Sequence, residues 1–237
     1  MRFLFGHPAL YYKSALIIGD THFGIEEKLR ERGIHNRNFS ELILNRIKKL
    51  LKMTMAKRLI ILGDVKDNIT IVDETTEKIL EELEGIIELI IVKGNHDGGI
   101  EKICKNVKPT SGFVYEKLGL VHGNAWPSDE VMECEYIIAA HQHPMIEIKD
   151  KSGKKHSNSA WLVLDNKISR IKKHYKNCNE KIKLILMPAF NPVVGSGMRL
   201  DKEEHLGPLL NNRLFDVKNA SVYKLDGTYL GKLSWIV

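Results

Sequence analysis

Leu59-Ile60-Ile61-Leu62-Gly63-Asp64-Val65-Lys66-Asp67-Asn68 is the stretch from which the architecture is read. Four consecutive large apolar residues, without polar alternation, suit a strand covered on both faces. Gly63-Asp64 then ends the run with a residue of free backbone conformation and a carboxylate. The same pattern recurs four times. Ala15–Ile18 leads into Gly19-Asp20-Thr21-His22, Leu89–Val92 into Gly94-Asn95-His96-Asp97, Leu118–Val121 into His122-Gly123, and Tyr136–Ala139 into Ala140-His141-Gln142-His143.

Between the first two runs, Phe39, Leu42, Ile43, Ile47, Leu50 and Leu51 recur at helical spacing, with Lys48, Lys49 and Lys52 off that face. Asp73 is placed to cap a second helix with Ile79, Leu80 and Leu83 on its apolar side, and a short helix is expected over Ile100–Cys104. Strand and helix alternating in this way predict an α/β sheet flanked by helices. Further on, Ala160–Leu164 and Ile168–Ile171 flank Asp165-Asn166-Lys167 and predict a hairpin. Ile182–Leu186 reads as a strand, and Ser221–Leu225 is expected to pair with Tyr229–Trp235 across Asp226-Gly227, completing a second, antiparallel sheet. No Pro/Gly/Ser-rich linker and no internal repeat divides the chain, so residues 1–237 are expected to form one domain.

The chain has 237 residues, 43% hydrophobic and 28% charged, which excludes a disordered tail. No stretch approaches the ~20 apolar residues of a membrane span, and the first apolar run reads as a strand rather than a signal peptide. Cys104, Cys134 and Cys178 form no CxxC pair, which argues against a disulfide framework or a thiolate zinc site and for a cytoplasmic protein. The net charge of +6 is uneven: from Lys149 to Lys183, eleven Lys or Arg face Asp150, Asp165 and Glu180, a local +8. Two readings of this segment stay open, a solvated surface and a polyanion-binding face.

Taken singly, each strand-end cluster has a plain reading. Gly-Asp is commonly a turn in which the carboxylate bonds nearby amides, and Gly-Asn-His-Asp can open a helix. Five such clusters, in order and each after a strand, imply convergence at the sheet edge where α/β proteins bind ligands. Asp, His and Asn donors without thiolate favour divalent ions of intermediate hardness. There are too many donors for one tetrahedral ion, so two ions sharing a carboxylate are the economical arrangement. Two dications less Asp20, Asp64 and a bridging hydroxide leave a centre near +1, suited to clamp a phosphate ester and to supply its own nucleophile.

The ordered set Asp20-x-His22, Gly63-Asp64-x-x-Asp67, Gly94-Asn95-His96-Asp97, His122 and His141-x-His143 resembles the calcineurin-like metallophosphoesterase superfamily over a little more than half of the chain. The stretches Asp20-Thr21-His22-Phe23-Gly24-Ile25-Glu26, Ala139–Pro144 and Leu186–Pro192 are similar to the small SbcD-related archaeal and DNA ligase-associated phosphoesterases. The resemblance implies a four-layer α/β/β/α sandwich of two mixed sheets flanked by helices. It implies that Asp20, His22 and His143 bind one metal, that Asn95, His122 and His141 bind a second, and that Asp64 bridges them. It assigns His96 to the phosphoryl oxygens or the leaving group, with Asp97 orienting it. Mn²⁺ leads the candidate cofactors, with Fe²⁺, Zn²⁺ and Ni²⁺ as alternatives.

Asn191 is offered either as a substrate-binding residue or as part of a turn fixed by Pro188 and Pro192, and Glu26 as a positioning residue or a helix entry. Ala140 departs from the family's glycine, and the long DNA-capping region of the break-repair nucleases is expected to be absent. The expectation is a two-metal phosphodiesterase working by attack of a metal-bridging hydroxide. Its substrate is a small diester or single-stranded DNA or RNA guided by Lys149–Lys183. A phosphomonoesterase and a non-catalytic scaffold are the alternatives, and the oligomeric state, monomer or homodimer, stays open.

Overall fold

The computed structural model describes residues 1–34, 38–149, 152–194 and 207–236. One sheet runs in chain order through β1 (Arg2–Phe3), β2 (Leu10–Tyr12), β3 (Ala15–Ile18), β4 (Arg58–Leu62), β5 (Glu88–Val92) and β6 (Val107–Lys108). The β1–β2–β3 part is antiparallel and the β3–β4–β5–β6 part parallel. The other sheet contains β7 (Phe113–Tyr115), β8 (Leu118–Val121), β9 (Tyr136–Ala139), β10 (Met145–Lys149), β11 (Lys155–Asp165), β12 (Lys183–Leu186), β13 (Ser221–Lys224) and β14 (Tyr229–Lys232). Its spatial order is β14-β13-β11-β12-β9-β8-β7, with β10 paired to the first half of β11. Around β9 it is parallel, to β8 on one side and β12 on the other.

The helices are α1 (Glu26–Glu31), α2 (Phe39–Thr54), α3 (Glu74–Ile86), α4 (Asp129–Met132), α5 (Ile168–Ile171), α6 (Pro208–Asn211) and α7 (Leu233–Ile236). Alternate residues of each central strand face opposite layers, and both layers are apolar. Ile17, Ile60 and Ile90 meet Leu120, Ile138 and Trp161 between the sheets. Leu16, Ile18 and Ile61 instead pack under Ile43, Ile47 and Leu50 of α2 and Leu80 and Leu83 of α3. On the far side, Ile137, Leu162 and Leu184 pack with Met132, Ile171, Leu210 and Leu233 of the short helices. This is the four-layer sandwich, and burial on both strand faces is why the runs are continuous rather than alternating. Among the described residues, no helix is long and apolar enough to cross a membrane.

Local signals account for the two long helices. Asn38 Oδ1 accepts from the Glu41 N–H at 3.0 Å and Asp73 Oδ1 from the Thr76 N–H at 3.0 Å. The Glu26 carboxylate accepts from the Ser40 N–H and hydroxyl, so Glu26 serves the entry of α2. Leu42, assigned by spacing to the apolar face, is 61% exposed, because the stripe that meets the sheet is narrower.

Three expectations are corrected. Ile168–Ile171 is helical, not the return strand of a hairpin. Both edges of β11 are already occupied there, by β12 and β13, while the Asn166 side-chain amide donates to the carbonyls of Glu180 and Ile182 and turns the chain away. The segment ending at Trp235 leaves the sheet after Lys232, and Leu233 buries itself under the short helices. The turn at Ile100–Lys102 is a 3₁₀ helix shorter than expected.

The Lys149–Lys183 segment is also not one face. Leu162 of β11 lies opposite Leu186, and Leu186 lies opposite Ala139 of β9. The first half of β11, with β10, therefore continues past the edge at which β9 ends. Lys183, at the other end of β12, bonds Asp165 at 2.9 Å, and Lys167 bonds Asp216 at 3.4 Å, both at the opposite edge. Asp150 and Lys151 lie outside the described residues.

Candidate metal centre

The C-terminal ends of β3, β4 and β5 in one sheet and of β8 and β9 in the other open onto a common edge. Beyond it the loops stay zipped together. The N–H groups of Asp20, His22 and Phe23 donate to the carbonyls of Gly63, Asp64 and Val65, and the His141 N–H donates to Asp20 Oδ2 at 3.2 Å across the sheets. Asp20, His22, Asp64, His141 and His143 all have positive φ, between 44° and 66°. Each non-glycine residue held there costs on the order of 1–2 kcal/mol, and five together on one edge mark a backbone bent to aim side chains. Two glycines make the approach physically feasible. A Cβ at Gly63 would lie 2.5 Å from the His122 ring, and one at Gly94 would lie 2.4 Å from Asp64.

Among the described residues three donor groups form, Asp20–His22–His143, Asp64–His122–His141 and His22–Asp67–His96. In the first, His143 Nε2 lies 3.2 Å from Asp20 Oδ1. The Nε2 atoms of His22 and His143 are buried without a hydrogen-bond partner, whereas His22 Nδ1 donates to Asp67 Oδ1 at 3.2 Å. In the second, His122 Nδ1 donates to the Leu62 carbonyl at 2.8 Å, which aims Nε2 at His141 Nδ1 (3.0 Å), Asn95 Oδ1 (3.1 Å) and Asp64 Oδ1 (3.4 Å). Asp64 joins the groups, with Oδ2 3.7 Å from His22 Nε2. The unpartnered Nε2 of His22, braced from behind by the Asp67 carboxylate, and the His122 ring, braced by the Leu62 carbonyl, both beside Asp64, fit divalent cations of N/O preference.

Electrostatics follow from burial and from one another. Burial opposes ionisation of Asp20, yet His143, His122 and His22 hold its carboxyl below the usual range. Asp64 is likewise held low against its burial, by His122 and by the His96 N–H that donates to it. Burial disfavours the imidazolium of His122, but Asp64 and Asp20 raise it to about 9. His141 goes the other way, to about 4, through burial and the charge of His122.

His96 stands at the rim, its side chain 20% exposed and Nε2 4.0 Å from Asp64 Oδ2. Its Nδ1 donates to the Asp67 carbonyl at 2.7 Å, which sets the ring. Asp97, expected to orient His96, accepts instead from the N–H groups of Gly94 and Val65, both at 2.8 Å, and so ties the β5 loop to the β4 loop. Asn191 is buried, donating to the Thr21 carbonyl at 2.9 Å and accepting from the Val193 N–H at 3.0 Å. Its segment does curl to the metal edge: the N–H groups of Phe190 and Asn191 donate to Gly19 and Asp20, and Arg46 bonds the Phe190 carbonyl at 3.1 Å. Ala140 lies outside the positive-φ positions, and its Cβ packs against Gly19, so the departure from glycine strains nothing.

Asp67 is the residue that sequence reasoning left out of the site. It carries His22 on its side chain and His96 on its carbonyl, and Lys28 lies 3.9 Å from Oδ2. Its signal was the second Asp of Gly63–Asp67.

A search among curated proteins finds no match. The chain is similar in structure to the Pseudomonas putida nuclease MPE, with a TM-score of 0.59 at 19% identity, covering 92% of this chain and 89% of that one. It also aligns with Yfce, a phosphoesterase from E. coli, at a TM-score of 0.44 and 16% identity, over 92% and 97% of the two chains. The family model for calcineurin-like phosphoesterases matches residues 14–194. With that match spanning most of the chain, and with paired Asp/His clusters at the shared sheet edge, the chain belongs to the calcineurin-like phosphoesterase family, hydrolases of phosphoester bonds.

Proposed function

We propose that this protein is a phosphodiesterase in which Asp20, His22 and His143 hold one divalent cation, His122, His141 and Asn95 hold a second, and Asp64 serves both. The observation that carries this reading is the junction itself: one carboxylate, Asp64, faces His22 on one oxygen and His122 on the other, with His96 above it. Cations bound there would supply Lewis acidity and a hydrolytic nucleophile near neutral pH.

The chain's own residues supply the rest. Asp67 and the Leu62 carbonyl hold the Nδ1–H sides of His22 and His122, leaving Nε2 for the metal edge. His96, partly exposed and fixed through Nδ1, presents Nε2 to the phosphoryl group, where it steadies a non-bridging oxygen or gives its proton to the leaving oxygen. Asp97 and Asn191 hold loops, Asp97 beneath His96 and Asn191 beneath Thr21. Mn²⁺ is the cation we propose, and single-stranded nucleic acid the substrate. The P. putida neighbour is a nuclease by name, but at 19% identity it argues fold alone.

The test is hydrolysis of bis(4-nitrophenyl) phosphate and of 4-nitrophenyl phosphate by chelator-stripped protein, with and without Mn²⁺. Mn²⁺-dependent turnover of the diester is expected, falling about 10²–10⁴-fold in His96→Ala while bound metal is retained. Preference for the monoester would make the protein a phosphomonoesterase, and no turnover of either ester would favour a scaffold.

A further inference from the structure

The sequence places only Trp161 and Tyr175 within the basic segment, too few for an aromatic ladder, but the fold imports another ring. Trp126, from the loop after β8, is 41% exposed and stacks on His174 with ring centroids 4.7 Å apart and planes 34° apart. His174 continues the helical turn of α5: the Lys172 N–H donates to Ile168, and those of His174 and Tyr175 to Ile171. Ile171 and Tyr175, four residues apart, face inward, and the Tyr175 hydroxyl donates to the Pro127 carbonyl at 2.9 Å. The opposite face therefore presents Arg170, Lys173 and His174 to solvent, with Lys176 three residues beyond Lys173, all of them exposed.

We infer that Trp126 and His174, flanked by Arg170, Lys173 and Lys176, form a stacking platform for a single-stranded polynucleotide. This rests on the phosphodiesterase reading and gives its polynucleotide substrate a binding subsite away from the metal edge. Trp126 is four residues from His122, so its Cα lies within about 14 Å of that ligand even for a fully extended chain. A strand with one phosphate at the metal edge meets the platform a few nucleotides away. Cations three residues apart along the turn suit a phosphate backbone, and the exposed indole face suits an unpaired base, which a duplex keeps stacked within itself.

Binding is measured by fluorescence anisotropy of labelled 12-mer DNA and RNA strands, and of the matching duplex, with full-length protein in chelator. No turnover is needed, so failure of the platform is separate from failure of the phosphodiesterase, which bis(4-nitrophenyl) phosphate hydrolysis by the wild type reports. Trp126→Ala is expected to weaken single-strand binding about 10-fold. Arg170→Gln/Lys173→Gln/Lys176→Gln is expected to lower the slope of log K against log salt by about 2. Trp126→Leu keeps Tyr175 covered without an aromatic face, so wild-type binding by that variant overturns the stacking role even where Trp126→Ala unfolds. An unchanged salt slope in the triple variant, or a duplex that binds as well as the single strands, overturns the platform.

Discussion

Two of the donor groups at the sheet edge, Asp20–His22–His143 and Asp64–His122–His141, are built from the same residue types but rest in different states. In the Asp20–His22–His143 group, His22 Nε2 is buried without a hydrogen-bond partner, while His143 Nε2 faces Asp20 Oδ1 at 3.2 Å and its imidazolium is favoured by that carboxylate. In the Asp64–His122–His141 group, the donors satisfy one another: His122 Nε2 is within 3.4 Å of Asp64, Asn95 and His141, and its imidazolium is favoured up to about 9. The first group leaves one donor nitrogen, that of His22, unmatched, while the second matches His122 against three neighbours. Pre-organisation for a metal can thus differ within one centre, according to whether the donors can compensate one another in its absence.

Removing what the groups share is the severest way to break this comparison. Asp64→Asn is expected to lower turnover of a diester about 10³-fold or more, because several kcal/mol of charge stabilisation acts through that carboxylate, and to reduce bound metal by elemental analysis. Retention of both metals and of turnover would break the link between the groups.

The next effect separates them. In chelator, His122→Ala takes the nearest imidazole from buried Asp64 and one of three from Asp20, and is expected to cost about 3 kcal/mol in urea unfolding, whereas His22→Ala costs less. The folded-state pKa of His122 is raised above 6.5, so its contribution is fully present below pH 6.5 and lost as pH rises through about 9. Metal-free wild type should therefore lose stability over that window, and His122→Ala should lose less, the raised His143 remaining. Loading the second group should release a proton near pH 7, readable by calorimetry in buffers of different ionisation enthalpy.

Asp67→Asn is a milder test that touches only the first group. Weakening the brace on His22 Nδ1 is expected to reduce metal affinity about 10–100-fold, seen as one site titrating later than the other. Equal loss at both sites would show that the groups do not act separately. The smallest effect is expected from Ala140→Gly, which restores the family's glycine and costs about 0.5–1 kcal/mol in thermal unfolding, with activity nearly unchanged.

Much of this was legible in the primary structure because the signals are local and strong. A continuous apolar run is a strand buried on both faces, and a run closed by Asp or His announces what sits at its end, so β3, β4, β5, β8 and β9 and the Asp and His residues that meet at their ends could be named without coordinates. Asn38 and Asp73 were cap-type residues in the right places, although only Asp73 was singled out. What failed depended on partners distant in the chain. Ile168–Ile171 has the composition of a strand, and only the occupied edges of β11 exclude it from the sheet. Asp97 sits beside His96 in sequence, yet its carboxylate is consumed by amides of two loops, and Asp67, 29 residues from His96, sets that ring.

By itself, then, the order of residues determined the layers of the sandwich and the kind of chemistry at its edge, since burial periodicity and donor type are properties of short segments. Tertiary structure decided which donor braces which ring, that Asn191 holds a turn, that the basic segment is divided between two edges, and that Trp126 meets His174. Each of these is a contact between segments far apart in the chain, and it exists only because packing the two sheets leaves one place for each loop to go.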